Sequence, residues 1–330
     1  MSTPARVVVI GTSTGGLEAL KAVLSGLPAN FPAAVLVVMH VGAHPSALPR
    51  LLGTKCALAV RHAEHLEEIE PGSVLIAPPD RHLIVDGRQV QLSHGPKENY
   101  ARPAIDPLFR SAAVSFGSMA IGVILTGNLD DGTVGLQAIE AHGGRSIVQE
   151  PQEAAAPGMP LSAIEYARVD FKLPLAEISD ALVDLTQQTD QTEPVAMLKD
   201  DADADSRPQK LGVSSIESLQ ARGEPSPFTC PECHGALWLI HSHPDQYCCH
   251  TGHSYTARTM AAAQDRGIEE AIWAAVRALN EKEALLKRST ESALKHNRDA
   301  AAAEYQHTAE QVRRNAEVLR AILVADGALN

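Results

Sequence analysis

The chain has 330 residues, of which 45% are apolar but only 4% aromatic, enough for one α/β domain with an aliphatic core plus a smaller appendage. A formal charge of −12 at neutral pH argues against nucleic acid or an anionic membrane surface as the main partner. No run approaches a membrane span and the N-terminus lacks a basic, apolar, small-residue signal pattern, so a cytoplasmic protein with reduced thiols is expected.

The first element lies in Arg6 to Leu20, RVVVIGTSTGGLEAL. Val7 to Ile10 is a β-branched run that reads as a strand buried on both faces, and Leu17 to Leu20 begins a helix with good formers. The GTSTGG turn between them projects the Ser13 hydroxyl from the sheet's carboxyl edge, beside free backbone N–H groups. That is the mechanics of a nucleophile elbow without its G-x-S-x-G spacing. Glycines at 11, 15 and 16 do not make a dinucleotide fingerprint. Leu17 and Glu18 stand where a phosphate loop needs Lys and Ser/Thr. An anion-binding turn, or a plain N-cap at Ser13 or Thr14, is the alternative to a nucleophile.

LPANFP (27 to 32) breaks the first helix, and Ala33 to His40 is a second buried strand. The resulting right-handed βαβ unit makes the two strands parallel, with Ser13 and His40 at one edge. His44 and Pro45 lead into a short helix over Ser46 to Leu52. Ala57 to His62 and Ser73 to Ala77 read as strands, and 82 to 93 as a hairpin turning at Asp86-Gly87. His94 to Ala104 is a loop, and Ile105 to Val114 a helix with Asp106 and Pro107 in its first turn. Ala120 to Leu125 is a third buried strand, followed by TGNLDDG, which presents Asp130 and Asp131 at its carboxyl end. Val134 to His142 (a helix), Arg145 to Glu150, Pro160 to Ala167 and Leu175 to Gln187 complete the alternation. Residues 1–187 are thus expected to form a doubly wound, mostly parallel α/β sheet with helices on both faces.

Residues 188–227, acidic and poor in large apolar side chains, read as a flexible linker. Residues 228–258 form a cysteine-rich segment, expected to fold, together with the helices that follow it to residue 330, apart from the first domain. Residues 259–330 read as a helical hairpin turning at 297 to 299. Its stripes, Ile268, Ile272, Val276 and Leu279 against Val312, Leu319 and Ile322, suit packing on each other, on a helical partner or on a second copy.

Two groups of residues carry chemistry. Ser13, His40 and an acid of the TGNLDDG loop all fall at carboxyl ends of apolar strands, where ligand sites of open parallel sheets form. Together they are the minimum set for acyl transfer through a serine. The residues alone do not separate Asp130 from Asp131, and either could instead cap the following helix. In the tail, C-P-E-C at 230 to 233 and C-H-T-G-H at 249 to 253 give Cys230, Cys233, Cys249 and His253 the spacing of a structural zinc site with no open position. Cys248, His250, His241 and His243 are rival ligands. Cys56 stands alone and reads as core filler.

GTSTGG, the strand ending in His40, RPAIDPLFRSAA (102 to 113), GVILTGNLDDG (122 to 132) and GMPLSAI (158 to 164) resemble the catalytic domain of the chemotaxis protein-glutamate methylesterases, the CheB family, from about residue 5 to 180. The resemblance implies Ser13 as nucleophile, His40 as its base and Asp131, not Asp130, as the acid. It implies an oxyanion site near Thr14, Gly15 and Asn128. The implied reaction is hydrolysis of glutamate methyl esters on a helical receptor-like protein, without a catalytic cofactor, and deamidation of glutamine side chains by the same apparatus. Family members usually carry a phosphorylatable receiver domain before the catalytic domain. Here five residues precede the first strand, so control in cis is expected to be absent. Where the family reads TGMGxDG this chain has Asn128 and Leu129, and where it reads QHM this chain has MHV. Those changes keep a second expectation open, a non-catalytic module that binds an anion or partner at the same edge.

Overall fold

The computed structural model describes residues 6–42, 45–187 and 216–327. His44 and most of the expected linker lie outside the described residues. Residues 1–260 make one compact unit and 261–330 a second.

The first unit is built on seven parallel strands. In chain order they are β1 (Val7–Thr12), β2 (Ala34–Met39), β3 (Ala59–His62), β4 (Ser73–Ile76), and, beyond the antiparallel hairpin β5 (His82–Asp86) and β6 (Gln89–Ser93), β7 (Ala120–Ile124), β8 (Arg145–Gln149) and β9 (Phe171–Leu173). Their order across the sheet is β3-β4-β2-β1-β7-β8-β9. The chain moves outward from β1 on one side and returns to pair β7 on the other, so the switch point lies at the carboxyl ends of β1, β2 and β7.

Alternation along β1 explains the two layers. Val7 and Val9 face a core shared with Ile105, Phe109 and Leu136, whereas Val8 and Ile10 face one shared with Leu20, Leu24 and Leu182. The first layer is covered by helices α3 (Ile105–Phe116), α4 (Thr133–Ala141) and α5 (Gly158–Tyr166). The second is covered by α1 (Gly16–Ser25), α2 (Leu48–Gly53) and α6 (Leu175–Gln187). Cys56 is half-buried against the second core, and burial pushes its thiol up.

The expected linker needs correction at its end. Helix α7 (Ile216–Arg222) and the first five residues of strand β10 (Gly223–Thr229) occupy residues read as flexible. Leu219, only 1% exposed, packs with Trp238 and Ile240. Pro225 and Pro227 are tolerated because β10 is the edge strand of a sheet ordered β10-β11-β12-β13, with β11 at Ala236–Ile240, β12 at Gln246–Cys249 and β13 at Ser254–Thr256.

The Cys/His segment, expected to stand apart, packs on the first domain within one compact unit. The Asn99 N–H donates to the Ser254 carbonyl at 2.8 Å, Lys97 pairs with Glu232 at 2.8 Å, and Arg258 pairs with Glu165 at 3.0 Å. The His243 ring meets Tyr166 edge-on at 5.1 Å.

In the second unit, helix α8 (Ala257–Lys295), which begins in the first unit, turns at 296–298 into α9 (Asp299–Gly327). The pair is seamed by small residues, with Val276, Ala293, Ala302, Ala309, Val312 and Ala316 buried. Ile268 and Ile322, expected on the packed stripes, are instead 59% and 44% exposed. No helix of the described residues is long and apolar enough to cross a membrane.

Candidate active site

The parallel register of β1 and β2 pairs Thr12 with Met39, so Ser13 and His40 each follow directly on the last paired residue. The His40 N–H extends the ladder to the Thr12 carbonyl at 3.1 Å. Ser13 is half-buried. Its N–H donates to Thr126 C=O, and its C=O accepts from the Gly16 N–H, both at 2.9 Å. The turn therefore hangs from the end of β7 and feeds directly into α1. Gly15 has φ of 78°, and a Cβ there would lie 2.6 Å from the Ala155 Cβ, so glycine is required twice over.

Across the switch point, the loop after β7 closes on the same place. A Cβ on Gly127 would meet the Met159 Sδ at 2.0 Å and the Ser13 Cβ at 3.0 Å. The Asn128 amide donates to the Thr14 hydroxyl at 3.1 Å, bringing together two of the three residues expected around an oxyanion site.

His40 Nε2 lies 2.7 Å from Asp131 Oδ2. Asp131 is 2% exposed, yet its carboxylate is fully supplied with donors. Ile105 N–H donates to Oδ2 at 2.7 Å, Asp106 N–H to Oδ1 at 3.2 Å, and the Asn99 amide to Oδ1 at 2.9 Å. Burial by itself would raise this carboxyl, but the His40 hydrogen bond and charge, with the Ile105 and Asn99 donors, hold it below the ordinary carboxylate value. The acid thus also accepts the first free N–H groups of α3.

Asp130 points elsewhere. Its Oδ2 accepts from the Thr256 hydroxyl at 2.6 Å, its buried Oδ1 has no partner, and burial raises its pKa against the Thr256 bond.

Sequence reasoning missed two residues of this network. Asn99 bonds Asp131 and, at 2.7 Å, Asp106. Asp106 accepts the N–H groups of Gly132 at 3.0 Å and Gly135 at 2.7 Å, fixing the loop that carries Asp131. Burial, and then the charge of Asp131, pushes the Asp106 carboxyl well above its ordinary range. Asp106 reads in sequence as an ordinary first-turn acid, and Asn99 as a loop residue; RPAIDPLFRSAA was the only signal near either.

The CheB methylesterase family model matches residues 8–182. The chain belongs to that family. A putative protein-glutamate methylesterase/protein-glutamine glutaminase of Leptospira interrogans is 40% identical over 182 residues, which cover 54% of this chain and 94% of the relative. A protein-glutamate methylesterase/protein-glutamine glutaminase 2 of Anaeromyxobacter dehalogenans is 43% identical over 182 residues, 55% of this chain but only 53% of its own length. The crystal structure of the Thermotoga maritima CheB methylesterase catalytic domain matches with a TM-score of 0.54 and 37% identity, covering 56% of this chain and all of that one. The CheB-like portion therefore coincides with the seven-stranded domain, and the Cys/His segment and helical hairpin lie beyond it.

In that extra segment, the ligand atoms of Cys230, Cys233, Cys249 and His253 all lie within 4.8 Å of one another, so the group could hold a metal ion. The rival ligands are engaged elsewhere. Cys248 packs on the Leu219, Trp238 and Ile240 cluster, His250 stacks edge-on against Trp238 at 4.8 Å, and His241 faces Glu224 at 3.5 Å. His243 lies against Tyr166.

Proposed function

We propose that this chain is a serine hydrolase that cleaves glutamate γ-methyl esters on a helical, chemoreceptor-like protein, and deamidates glutamine side chains with the same apparatus. The observation that carries the reading is the 2.7 Å contact between His40 Nε2 and Asp131 Oδ2 at the strand edge that also bears Ser13. The names of the Leptospira and Anaeromyxobacter relatives support the substrate.

With the Nε2–H donating a hydrogen bond to the Asp131 carboxylate, the His40 Nδ1 lone pair is the basic face. It takes the Ser13 proton as Oγ attacks the ester carbonyl, and Asp131 stabilises the imidazolium that forms. Backbone N–H groups at the start of α1, around Thr14 and Gly15, with the Asn128 segment opposite, receive the oxyanion, each such donor being worth about 3 kcal/mol. His40 returns the proton to the departing methoxide and methanol leaves. Water, deprotonated by His40, then cleaves the acyl-enzyme; for a glutamine substrate the leaving group is ammonia.

The Cys/His group is read as a structural zinc site. Zinc–sulfur bonds of about 2.3 Å and zinc–nitrogen bonds of about 2.0 Å in a tetrahedron imply edges of roughly 3.8 Å between sulfurs and 3.5 Å between sulfur and nitrogen. The spacings here are 3.7 Å for Cys233 to Cys249, 3.6 Å for Cys230 to His253 and 3.5 Å for Cys249 to His253. Thiols kept as ligands suit the reducing cytoplasm.

Labelling with a fluorophosphonate, together with methanol release from a peptide carrying a glutamate γ-methyl ester, tests the function. Wild type should do both, and Ser13→Ala neither. Ester turnover by Ser13→Ala within tenfold of wild type would end the reading.

A further inference from the structure

We infer that the Cys/His knuckle positions the acid of the hydrolase site, so that ester hydrolysis depends on metal bound some distance from the chemistry. The inference rests on the hydrolase reading above. It begins with the direction in which the knuckle's last strand faces. Its three residues, Ser254, Tyr255 and Thr256, follow immediately on the ligand His253; the Ser254 carbonyl and the Thr256 hydroxyl meet the acid network, while Tyr255 faces the Cys/His group.

Three bonds make the connection. The Ser254 carbonyl accepts the Asn99 N–H at 2.8 Å. The Thr256 hydroxyl donates to Asp130 at 2.6 Å. The Thr259 hydroxyl donates to the Asn99 Oδ1 at 3.3 Å and lies 3.0 Å from the Thr256 hydroxyl. Asn99, Thr256, Thr259 and Asp130 are 8%, 2%, 1% and 2% exposed, so water does not replace a lost partner cheaply.

Each bond ends one residue or one bond from Asp131. Asn99 and its neighbour Tyr100 have φ of 50° and 63°, a left-handed pair that non-glycine residues rarely adopt. The Ser254 carbonyl ties Asn99 there, and its amide then reaches both Asp131 and Asp106. Asp130 is the covalent neighbour of Asp131, and Thr256 holds its Oδ2.

The metal enters because the knuckle is poorly supported otherwise. Its large buried apolar side chains among the described residues are few, Leu219, Leu237, Trp238, Ile240 and Tyr255, a small core for a four-stranded sheet. Tyr255, 1% exposed, sets its hydroxyl 3.5 Å from the Cys230 Sγ, so the strand that holds Asn99 also packs on the ligand group. Thr256 and Thr259 are therefore positioning residues, and Cys230, Cys233, Cys249 and His253 organise the strand from which they act.

The test uses the full chain with a peptide glutamate γ-methyl ester. Thr256→Val should lower kcat by about tenfold or more with KM unchanged, and Thr256→Ser should restore most of it. Stripping zinc, followed by a chromogenic chelator, should lower kcat and the fluorophosphonate labelling rate of Ser13 together, and added zinc should return both. Full turnover in both Thr256→Val and the zinc-free protein, each folded by circular dichroism, would overturn the inference. So would a preparation that never contains zinc and is nonetheless fully active. Should zinc-loaded wild type neither hydrolyse ester nor label at Ser13, the hydrolase reading falls instead. Positioning is then judged from the proton NMR signal of the His40–Asp131 hydrogen bond, which must broaden or shift in Thr256→Val; an unchanged signal overturns the inference.

Discussion

Replacing Asp131 by Ala separates its two duties, holding His40 and holding the start of α3. Truncation removes the acceptor for the Ile105 and Asp106 N–H groups, while Asn99 keeps Asp106 as a partner. Two buried backbone donors left unsatisfied cost about 1 to 3 kcal/mol each. Relief of the repulsion that pushes Asp106 up returns part of this, so a net loss of about 2 to 4 kcal/mol is expected from urea denaturation at neutral pH. Turnover should fall on the order of 10³ to 10⁴, as when an orienting carboxylate is lost from a catalytic triad. Asp130→Ala, which breaks only the Thr256 contact, should cost about tenfold. The pH dependence has a definite sign. Asp131 is held below its ordinary value, so its contribution is present above the unfolded value of about 3.9 and is lost as pH falls through the lower folded value. The stability gap between wild type and Asp131→Ala should therefore be flat from neutral to mildly acidic pH and shrink only in strong acid. An Asp131→Ala protein as stable as wild type at neutral pH, or one that turns over ester within tenfold, would refute the reasoning.

Two further changes probe the same network. Gly127→Ala places a Cβ 2.0 Å from the Met159 Sδ and 3.0 Å from the Ser13 Cβ; a loss of about 1 to 3 kcal/mol with a drop in Ser13 labelling is expected, and unaltered labelling kinetics would contradict the close approach of the two loops. Asp106 is raised by burial and by Asp131, so its stabilising contribution is fully present below about 3.9 and lost as pH rises through its folded value. The stability gap between wild type and Asp106→Asn should accordingly narrow with rising pH in a denaturation series, and a constant or widening gap would show that Asp106 does not titrate as described.

The sheet was legible because its central strands are uninterrupted: Val7 to Ile10, Ala34 to Val38 and Ala120 to Ile124 are buried on both faces, and only such strands lack polar alternation. Ser13, His40 and Asp131 were legible as strand-end residues, and the choice of Asp131 over Asp130 came from resemblance. Strand β10 was hidden by two prolines that an edge position excuses. Asn99, Thr256 and Thr259 were hidden for another reason. Each is an ordinary polar residue whose role is set by partners far away in the chain, and no local period or spacing encodes a hydrogen bond between residues 99 and 259. The packing of the Cys/His segment on the first domain was hidden on the same ground, since its composition describes its own small core and not the surface it covers.

The pair Asp130-Asp131 shows how that covering acts on the chemistry. Two carboxyl groups of the same kind, adjacent in sequence and both 2% exposed, are driven apart in acidity by what each one faces. Asp131 receives three donors and the His40 ring, and is held below its ordinary value. Asp130 receives one hydroxyl, from the knuckle, and is raised by burial. Were both equally supplied, two anions side by side in a buried loop would repel, and the loop would relax toward solvent. The knuckle thus supplies Asp130 with the Thr256 hydroxyl alone, and the better-supplied carboxylate of the pair is the one that meets His40.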